Sequence, residues 1–366
     1  MRRMRSYLEG VSLSDRLRVG IIGVGGIATG AHIPGYQAVE DKVEFVACAD
    51  VNADRAREVA EKFGFSASYG DYKEMLAKEK LDVVSVCTPN KFHAPATIAA
   101  LEAGCHVLCE KPPALTTAEA VEMVKTAEKH GKILTFGLMT RYSSEVQACK
   151  RLIEGGELGK VYFARVDALR RRGIPGWGVF TNKELQGGGP VIDIGVHMLD
   201  TALYLMGYPK PTQVLASAYQ EIGTRPGVGT MGSWDWQNFQ IEDLAVAMIK
   251  FENGASILLE TSFAQNIEEL GKMNVRLSGT EGGANLFPLK VFKEAYGALY
   301  DWTPAWMPKV DKRHTEEVKH FVRACLGEVE PGDDPMVTGS QAIRLQQVLD
   351  AIYQSAEKDD IVYINE

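Results

Sequence analysis

Asp193 and His197 carry side chains suited to acid–base chemistry, in the segment GGGPVIDIGVHMLD. They are four residues apart, and Pro190 suits the first turn of a helix, so both side chains would lie on one helix face. A hydrogen bond from the imidazole N–H to the carboxylate would orient the imidazole and raise its basicity, as a general base requires. A solvated ion pair on a helix surface is the alternative interpretation of this spacing.

Lys111 is a second candidate, in the segment HVLCEKPP, where an apolar run ends at Glu110 and Lys111. The prolines that follow fix the backbone at this point. In a doubly wound sheet, ligands bind beyond the carboxyl ends of the strands, so the lysine would face the binding crevice. A solvated strand end remains the alternative.

A phosphate-binding turn is predicted after the apolar run LRVGII. The segment Gly23-Val24-Gly25-Gly26-Ile27-Ala28 fits the pattern G-x-G-x-x-G/A. The first glycine permits a tight turn, the second lets backbone approach a pyrophosphate, and the third small residue lets helix pack on strand. The helix N-terminus then faces the anion. A glycine turn with a purely structural purpose is the alternative.

Asp50 supports the dinucleotide interpretation, because it ends the second predicted strand 22 residues after Ala28. This is close to the spacing expected for the carboxylate that binds the adenosine ribose. A carboxylate there also repels a 2′-phosphate, so NAD is predicted and NADP is less favoured. Arg55 and Arg57 soften this preference, although a solvated helix face accounts for both.

Two domains must position these residues, since 366 residues exceed what one hydrophobic core usually serves. From Leu17 to Leu138, apolar β-branched runs alternate with amphipathic helical patterns, which predicts an α/β Rossmann domain with a doubly wound parallel sheet. After Arg141 the strand patterns predict a C-terminal α+β domain with a large, mostly antiparallel open sheet, including a hairpin at Asn253-Gly254. The predicted boundaries are an N-terminal arm at 1–15, the dinucleotide-binding domain at 16–140 and the substrate-binding and oligomerisation domain at 141–366.

Composition excludes several classes of function. The net charge of -8 and the absence of a basic stripe argue against nucleic acid as a partner. No apolar stretch suits a secretion signal or a membrane span, and cysteines within apolar strand patterns indicate a reduced, cytoplasmic protein. A metal site at Cys105, His106 and Cys109 is rejected, because side chains alternate along a strand and His106 would face away from both thiols. No metal is expected.

These motifs together resemble the Gfo/Idh/MocA family, which includes glucose-fructose oxidoreductase and inositol dehydrogenase. The resemblance runs from Leu17 to Asn365 and is carried by GVGGIA, CADVN, TPNKFHAPATIAALEAGCHVLCEKP, GGGPVIDIGVHMLD and the closing QAIRLQQVLDAIYQSA. It implies that Lys111, Asp193 and His197 line the active site.

The resemblance also implies a nicotinamide half-site. Thr88, Pro89, Asn90 and His93 would lie along that half of the cofactor, with Glu110 nearby. A strand-to-loop boundary at 88–90 and an ordinary helix-start residue at 93 are the alternatives.

The segment RRRGIPGWGVF suits a lid over a sugar. The indole of Trp177 could stack on C–H faces of the substrate, and the arginines of this segment, Arg172 above all, could hold its oxygens or an acidic substituent. Core packing or a subunit contact would explain Trp177 equally well, and Trp234 and Trp236 are similarly ambiguous.

The expected function is therefore hydride transfer between nicotinamide and a secondary alcohol carbon of a sugar, glycoside or cyclitol. His197 would remove the hydroxyl proton while Lys111 stabilises the developing negative charge, and an exchange of these two roles stays open. A cofactor-binding sensor without catalysis and an NAD-dependent glycosidase are the alternatives. Apolar residues on the open sheet, as in ILLETSFA, predict a homo-oligomer, either a dimer or a tetramer.

Overall fold

The computed structural model of the chain describes residues 16–330, 332 and 335–364, so the predicted arm at 1–15 lies outside the described residues. The N-terminal half forms a six-stranded parallel sheet in the order β3-β2-β1-β4-β5-β6. The strands are β1 Leu17–Ile22, β2 Val43–Ala49, β3 Ala67–Tyr69, β4 Val83–Val86, β5 His106–Cys109 and β6 Leu134–Phe136. This order confirms the doubly wound Rossmann prediction, with the switch point between β1 and β4.

Five helices connect these strands, and local sequence explains where they start and stop. They are α1 Ile33–Gln37, α2 Ala53–Phe63, α3 Tyr72–Lys78, α4 His93–Glu102 and α5 Thr117–His130. Thr116 and Glu119 form a capping box that satisfies free N–H groups at the start of α5. The helix ends at Gly131, whose φ of 61° suits a residue without Cβ.

The C-terminal half contains a nine-stranded sheet in the order β14-β13-β12-β11-β7-β10-β9-β8-β15. Its strands are β7 Val161–Arg170, β8 Pro211–Tyr219, β9 Leu244–Phe251, β10 Ser256–Ser262, β11 Gly271–Gly279, β12 Gly283–Asn285, β13 Lys290–Ala295, β14 Ala298–Trp302 and β15 Val362–Tyr363. Among the described pairings only β7 with β10 is parallel, so the mostly antiparallel prediction is confirmed. The predicted hairpin joins β9 to β10, and Gly254 has a φ of 83°.

The helices of this half are α6 Ser144–Glu154, α7 Lys183–Gln186, α8 Val196–Leu205, α9 Arg313–Cys325 and α10 Gly339–Lys358. Helices α8 and α10 pack on one face of the sheet, whereas α9 packs against α1 of the N-terminal half. Along β9, Ala247 and Ile249 are buried toward the helices, whereas Met248 and Lys250 are exposed on the other face. The second face of the sheet is therefore open in the single chain.

The two halves meet at a 3₁₀ turn, Met139–Tyr142, which contains the predicted domain boundary between 140 and 141. That boundary stays a prediction. Within the described residues, no helix combines the length and apolar character required to cross a membrane.

Candidate active site

The glycine turn after β1 is shaped by close backbone contacts. Gly23 has a φ of 85°, and a Cβ at this position would lie 2.8 Å from the carbonyl carbon of Cys87. Its N–H donates to the carbonyl oxygen of Ala49 at 2.8 Å. Only glycine fits this position without displacing the neighbouring strand end.

The next residues leave space for a ligand. Gly25 and Gly26 are exposed, and a Cβ added to either would meet nothing within 4 Å. Helical backbone begins at Gly26, Ile27 is 37% exposed, and Ala28 is fully buried. Exposed backbone amides at a helix start suit an anion, so this turn fits the pyrophosphate of a dinucleotide.

Asp50 holds the turn from the end of β2. Its carboxylate accepts from the N–H of Val24 at 3.0 Å and from that of Asn52 at 2.9 Å. Arg55 and Arg57 lie on the exposed face of α2 and pair with Glu58 at 3.4 Å and Asp54 at 2.6 Å respectively. These pairs are those expected of a solvated helix face.

Lys111 and Asp193 meet at the carboxyl edge of the parallel sheet. The Lys111 Nζ donates to Asp193 Oδ1 at 2.8 Å and to its carbonyl oxygen at 2.9 Å. Both side chains are 16% exposed. The Arg170 guanidinium lies 3.9 Å from the other carboxylate oxygen of Asp193. The fold thus brings together two residues that are 82 positions apart in the sequence.

The predicted hydrogen bond between Asp193 and His197 is wrong for the described residues. His197 Nδ1 is buried without a hydrogen-bond partner, while the carboxylate of Asp193 bonds Lys111 instead. The physical reason is that a charged ammonium group binds a carboxylate more strongly than a neutral imidazole does.

The charge of Asp193 raises the pKa of His197 in the predicted direction, but the net shift is downward. Burial lowers the pKa of His197, and the charge of Lys111 lowers it further. The carboxylates of Asp193 and Glu110 oppose this shift, but the pKa still falls to about 3. The imidazole is therefore neutral near pH 7, with a free ring nitrogen.

Asp193 lies in a π-helical segment, Val191–Gly195, which continues directly into α8 with His197. A buried carboxylate supports the start of this segment. Glu242 accepts hydrogen bonds from the backbone N–H groups of Gly189 at 2.9 Å and Val191 at 3.2 Å, and from the Tyr353 hydroxyl at 2.8 Å. A Cβ on Gly188 would lie 2.0 Å from that hydroxyl. The glycine run thus gives Glu242 and Tyr353 access to the start of the helix.

The residues expected along the nicotinamide half follow β4. Thr88 Oγ1 is buried without a partner, and the Asn90 side chain donates to the carbonyl oxygen of Gln186 at 2.9 Å. Pro89 precedes a 3₁₀ turn, Asn90–Phe92. An unpartnered hydroxyl next to the crevice fits a polar ligand.

His93 is fully buried at the start of α4, and Glu110 follows β5. The His93 ring nitrogens lie 2.8 Å from the Pro112 carbonyl oxygen and 3.0 Å from that of Thr88. Burial lowers the pKa of His93. His93 therefore connects the segments that follow β4 and β5, which flank the crevice.

Arg172 and Trp177 lie on loops beyond β7. The Arg172 guanidinium donates to the Asn266 side chain at 2.7 Å and to the carbonyl oxygen of Gln265 at 3.2 Å. Trp177 is 53% exposed and packs edge-on against Phe180. No described hydrogen bond or ion pair joins Arg172 to the Lys111–Asp193 pair.

Trp234 and Trp236 differ in environment. Trp234 is buried and donates from its indole N–H to the carbonyl oxygen of Gly223 at 2.7 Å, so it is a core residue. Trp236 is 38% exposed in a 3₁₀ turn.

Sequence reasoning missed several residues of the site. Arg170, rather than Arg172, faces Asp193, and its position on the same strand face as the buried Ala164 and Ala168 was an available signal. The charge of His314, at the start of α9, lowers the pKa of both Glu110 and His197. No sequence signal connects His314 to residues so distant.

Comparisons with known proteins cover nearly the whole chain. Residues 17–138 match the model for the NAD-binding Rossmann fold of the Gfo/Idh/MocA oxidoreductases, and residues 150–364 match the model for their C-terminal alpha/beta domain. The D-glucoside 3-dehydrogenase of Escherichia coli K12 is 43% identical over 350 residues, which cover 96% of this chain and 98% of that protein.

A second relative and a solved structure are more distant. D-xylose 1-dehydrogenase (NADP(+)) 2 of Haloferax volcanii is 26% identical, over 92% of this chain and 97% of its own length. The structure of levoglucosan dehydrogenase in complex with NADH and L-sorbose has a TM-score of 0.81 at 25% identity, and the match covers 96% of this chain and 100% of that one.

Proposed function

This chain belongs to the Gfo/Idh/MocA oxidoreductase family, and from that membership we propose that it oxidises the C3 hydroxyl of a D-glucoside with NAD as hydride acceptor. The chain is an NAD(P)-dependent sugar dehydrogenase. We propose the D-glucoside as the substrate, C3 as the oxidised carbon, NAD as the preferred cofactor and the residue roles given below. The observation that carries it is the Lys111–Asp193 pair beside a neutral His197.

The substrate class is supported by the relative from Escherichia coli. It shares 43% identity with this chain across almost the full length of both proteins. In this proposal the loops beyond β7 would contact the sugar. We assign Trp177 to stacking on the sugar and Arg172 to the support of the same loops.

The cofactor assignment rests on the glycine turn and on Asp50. Gly23, Gly25, Gly26, Ile27 and Ala28 would hold the pyrophosphate, and Asp50 would accept hydrogen bonds from the adenosine ribose. The same carboxylate disfavours a 2′-phosphate, so NAD is preferred. When bound, the nicotinamide supplies the hydride acceptor.

The nicotinamide half is assigned to the residues after β4 and β5. In this proposal the ring would lie along Thr88, Pro89 and Asn90, with Glu110 at its edge, while the buried His93 would support these residues from behind. The unpartnered Thr88 hydroxyl supports this assignment, because a buried hydroxyl without a bond costs stability unless a ligand uses it.

Lys111 has one donor to spare. An ammonium group has three N–H donors, and two of them bond Asp193. The third can donate to the substrate oxygen, where it stabilises negative charge as the hydroxyl proton leaves. Asp193 is thus a positioning residue for Lys111.

His197 is assigned to proton removal. Its imidazole is neutral and the residue is partly exposed, so the ring nitrogen other than the buried Nδ1 would accept the hydroxyl proton. Negative charge on the substrate oxygen favours the imidazolium form, which opposes the burial and the Lys111 charge that lower the pKa. The roles of His197 and Lys111 are therefore complementary.

We also propose a homo-oligomer assembled through the open face of the nine-stranded sheet. Leu215 and Met248 are 51% and 41% exposed on that face, and burial between subunits is the usual fate of such residues. A monomeric mass by light scattering at micromolar concentration contradicts this proposal. The buried free thiols of Cys48, Cys105 and Cys149 support a cytoplasmic location.

The function is tested with methyl and 4-nitrophenyl D-glucosides, each with NAD or NADP, followed at the absorbance of reduced nicotinamide. We expect net NADH and a 3-keto product by NMR, and no turnover of the 3-O-methyl derivative. Release of 4-nitrophenol without NADH indicates a glycosidase. A ketone at another carbon, or equal use of NADP, contradicts the corresponding part of the proposal.

A further inference from the structure

A buried chain of hydrogen bonds leads from the core to the residue next to Lys111. The Tyr36 hydroxyl lies 2.9 Å from Ser85 Oγ, which lies 3.0 Å from His32 Nδ1. His32 Nε2 lies 2.9 Å from Glu110 Oε1. All four side chains are buried, with 6% exposure for Glu110 and at most 1% for the others.

The donors and acceptors of this hydrogen-bond chain follow one direction. Burial raises the pKa of Tyr36, so its hydroxyl remains protonated and donates. At the other end the Glu110 carboxylate can only accept. Tyr36 then donates to Ser85, Ser85 to His32 Nδ1, and His32 Nε2–H to Glu110. Every buried polar group in the chain is satisfied with a neutral imidazole in one tautomer.

The hydrogen-bond chain connects the phosphate-binding turn to the strand end that carries Lys111. His32 is the last residue of a π-helical segment, Ala28–His32, that follows the glycine turn. Such segments are frequent at functional sites. The other Glu110 oxygen accepts from the Lys111 backbone N–H at 3.1 Å. A Cβ on Gly137 would lie 2.9 Å from Glu110 Oε1, so a glycine leaves room for the carboxylate.

We propose that His32 is a positioning residue for the reaction, which acts through Glu110 to hold Lys111 and joins the phosphate-binding turn to the reactive lysine. The inference rests on the proposed function, because that function is what makes Lys111 reactive. His32 itself touches neither the substrate nor the hydride-bearing carbon in this assignment.

Glu110 is surrounded by titratable groups from several elements. Burial raises its pKa, but the hydrogen bond from His32 and the charge of Lys111 outweigh burial, so the pKa of Glu110 lies below its ordinary value. The remaining groups that face it are His93, His197, His314, Glu317 and the thiols of Cys87 and Cys109. Loss of the His32 donor therefore raises the pKa of Glu110. On acidification, the Glu110 carboxylate is then protonated at a higher pH than in the parent protein.

Two substitutions of His32 form a matched pair. The amide of His32→Gln reaches the position of Nε2 and can donate to Glu110, whereas that of His32→Asn reaches only the position of Nδ1, near Ser85. We expect His32→Asn to lower kcat for the glucoside about tenfold, with little change in KM, and to move the acid limb of the kcat profile to higher pH. His32→Gln should retain kcat within about threefold.

A double-mutant cycle with Glu110→Gln tests the route. If His32 acts through Glu110, the losses of kcat in His32→Asn and Glu110→Gln are not multiplicative in the double variant. Equal behaviour of the Asn and Gln variants, or fully multiplicative losses, overturns the proposal. If His32→Asn does not fold, Ser85→Ala replaces it, with a smaller shift of the acid limb in the same direction expected and the absence of a shift contradicting the proposal.

Two measurements on the protein without substrate separate this inference from the proposed function. Nitrogen-15 NMR of labelled histidines should show the Nε2–H tautomer for His32. The His32 signal is identified as the one that is absent from the spectra of the His32 variants. NADH titration by fluorescence should weaken in His32→Asn more than in His32→Gln. Absence of glucoside turnover in the parent protein refutes the proposed function, whereas an Nδ1–H tautomer refutes the His32 chain.

Discussion

Two ion pairs, Lys111–Asp193 and Arg141–Asp200, have their carboxylates on consecutive helical segments, Val191–Gly195 and α8, but differ in burial and in hydrogen bonding. Arg141 and Asp200 are fully buried and share two hydrogen bonds, of 2.6 and 2.9 Å. Gln341 accepts from the same guanidinium at 2.8 Å, and the Tyr208 hydroxyl donates to Asp200. The crevice pair is 16% exposed, lies beside the unpartnered Nδ1 of His197, and leaves a lysine donor unused.

The difference distinguishes a structural joint from a binding site. Each guanidinium nitrogen of Arg141 donates at least one hydrogen bond within the protein, and this fully buried cluster is saturated in that sense. It joins the 3₁₀ turn at Met139–Tyr142 to α8 and α10. The crevice retains free donors and acceptors next to a charged pair, as expected where a polar ligand completes the network.

The largest effect is expected when the saturated pair is broken. Arg141→Met leaves the Asp200 carboxylate buried without a charged partner, so we expect a loss of about 3–5 kcal/mol in the free energy of unfolding. Chemical denaturation followed by circular dichroism measures it. Lys111→Met is the matched control and should cost clearly less, because both side chains are 16% exposed and the Arg170 guanidinium stays 3.9 Å from the Asp193 carboxylate. Similar losses in both variants would erase the distinction.

Catalysis should show the opposite sensitivity. Lys111→Met and His197→Ala should each lower kcat about a hundredfold or more, because one removes the stabilisation of negative charge and the other removes the base. NADH affinity by fluorescence titration should stay nearly constant. Near-normal kcat in both variants would show that the crevice pair and His197 are structural.

Asp193→Asn should have an intermediate effect. The amide can still accept a hydrogen bond from Lys111 but no longer provides the charge that holds it, so kcat should fall about tenfold. The loss should exceed that of a matched surface variant, Asp54→Asn, whose carboxylate only pairs with Arg57 on the exposed face of α2. An unchanged kcat would separate Asp193 from the positioning of Lys111.

The pH profile provides a finer test. Because the His197 pKa is lowered to about 3, its neutral form is fully present above that value and is lost only as pH falls through it. This group should therefore change kcat/KM by less than about twofold between roughly pH 5.5 and 7.5. An acid limb near the ordinary histidine pKa that disappears in His197→Ala would contradict the assignment.

The smallest effect is expected at Thr88. Its buried hydroxyl oxygen has no partner in the described structure, so Thr88→Val should alter the unfolding free energy by less than about 1 kcal/mol. NADH affinity should fall a few-fold if the hydroxyl binds the cofactor. A fall in stability without any change in NADH affinity would place Thr88 with the saturated core rather than with the crevice.

Much of the fold could be predicted because its signals are local. Several features depend only on a few adjacent residues and on the backbone conformations that those residue types permit. They are the glycine turn at 23–28, the strand end at Asp50 and the hairpin at Gly254. Apolar periodicity likewise indicated the two sheets, since it reports which face each element buries. The catalytic candidates followed from their residue types and from the family resemblance.

The partners of those candidates could not be predicted. The sequence placed Asp193 beside His197, four residues away, but the folded chain places it against Lys111, 82 residues away. His32 and Glu110 are 78 residues apart, and Arg141 and Asp200 are 59 apart. Such contacts depend on how the strand ends and helices of separate segments pack together. Sequence therefore determined the elements and the chemical groups they carry, while tertiary packing decided which charges meet, which remain free for a ligand and how far burial shifts each pKa.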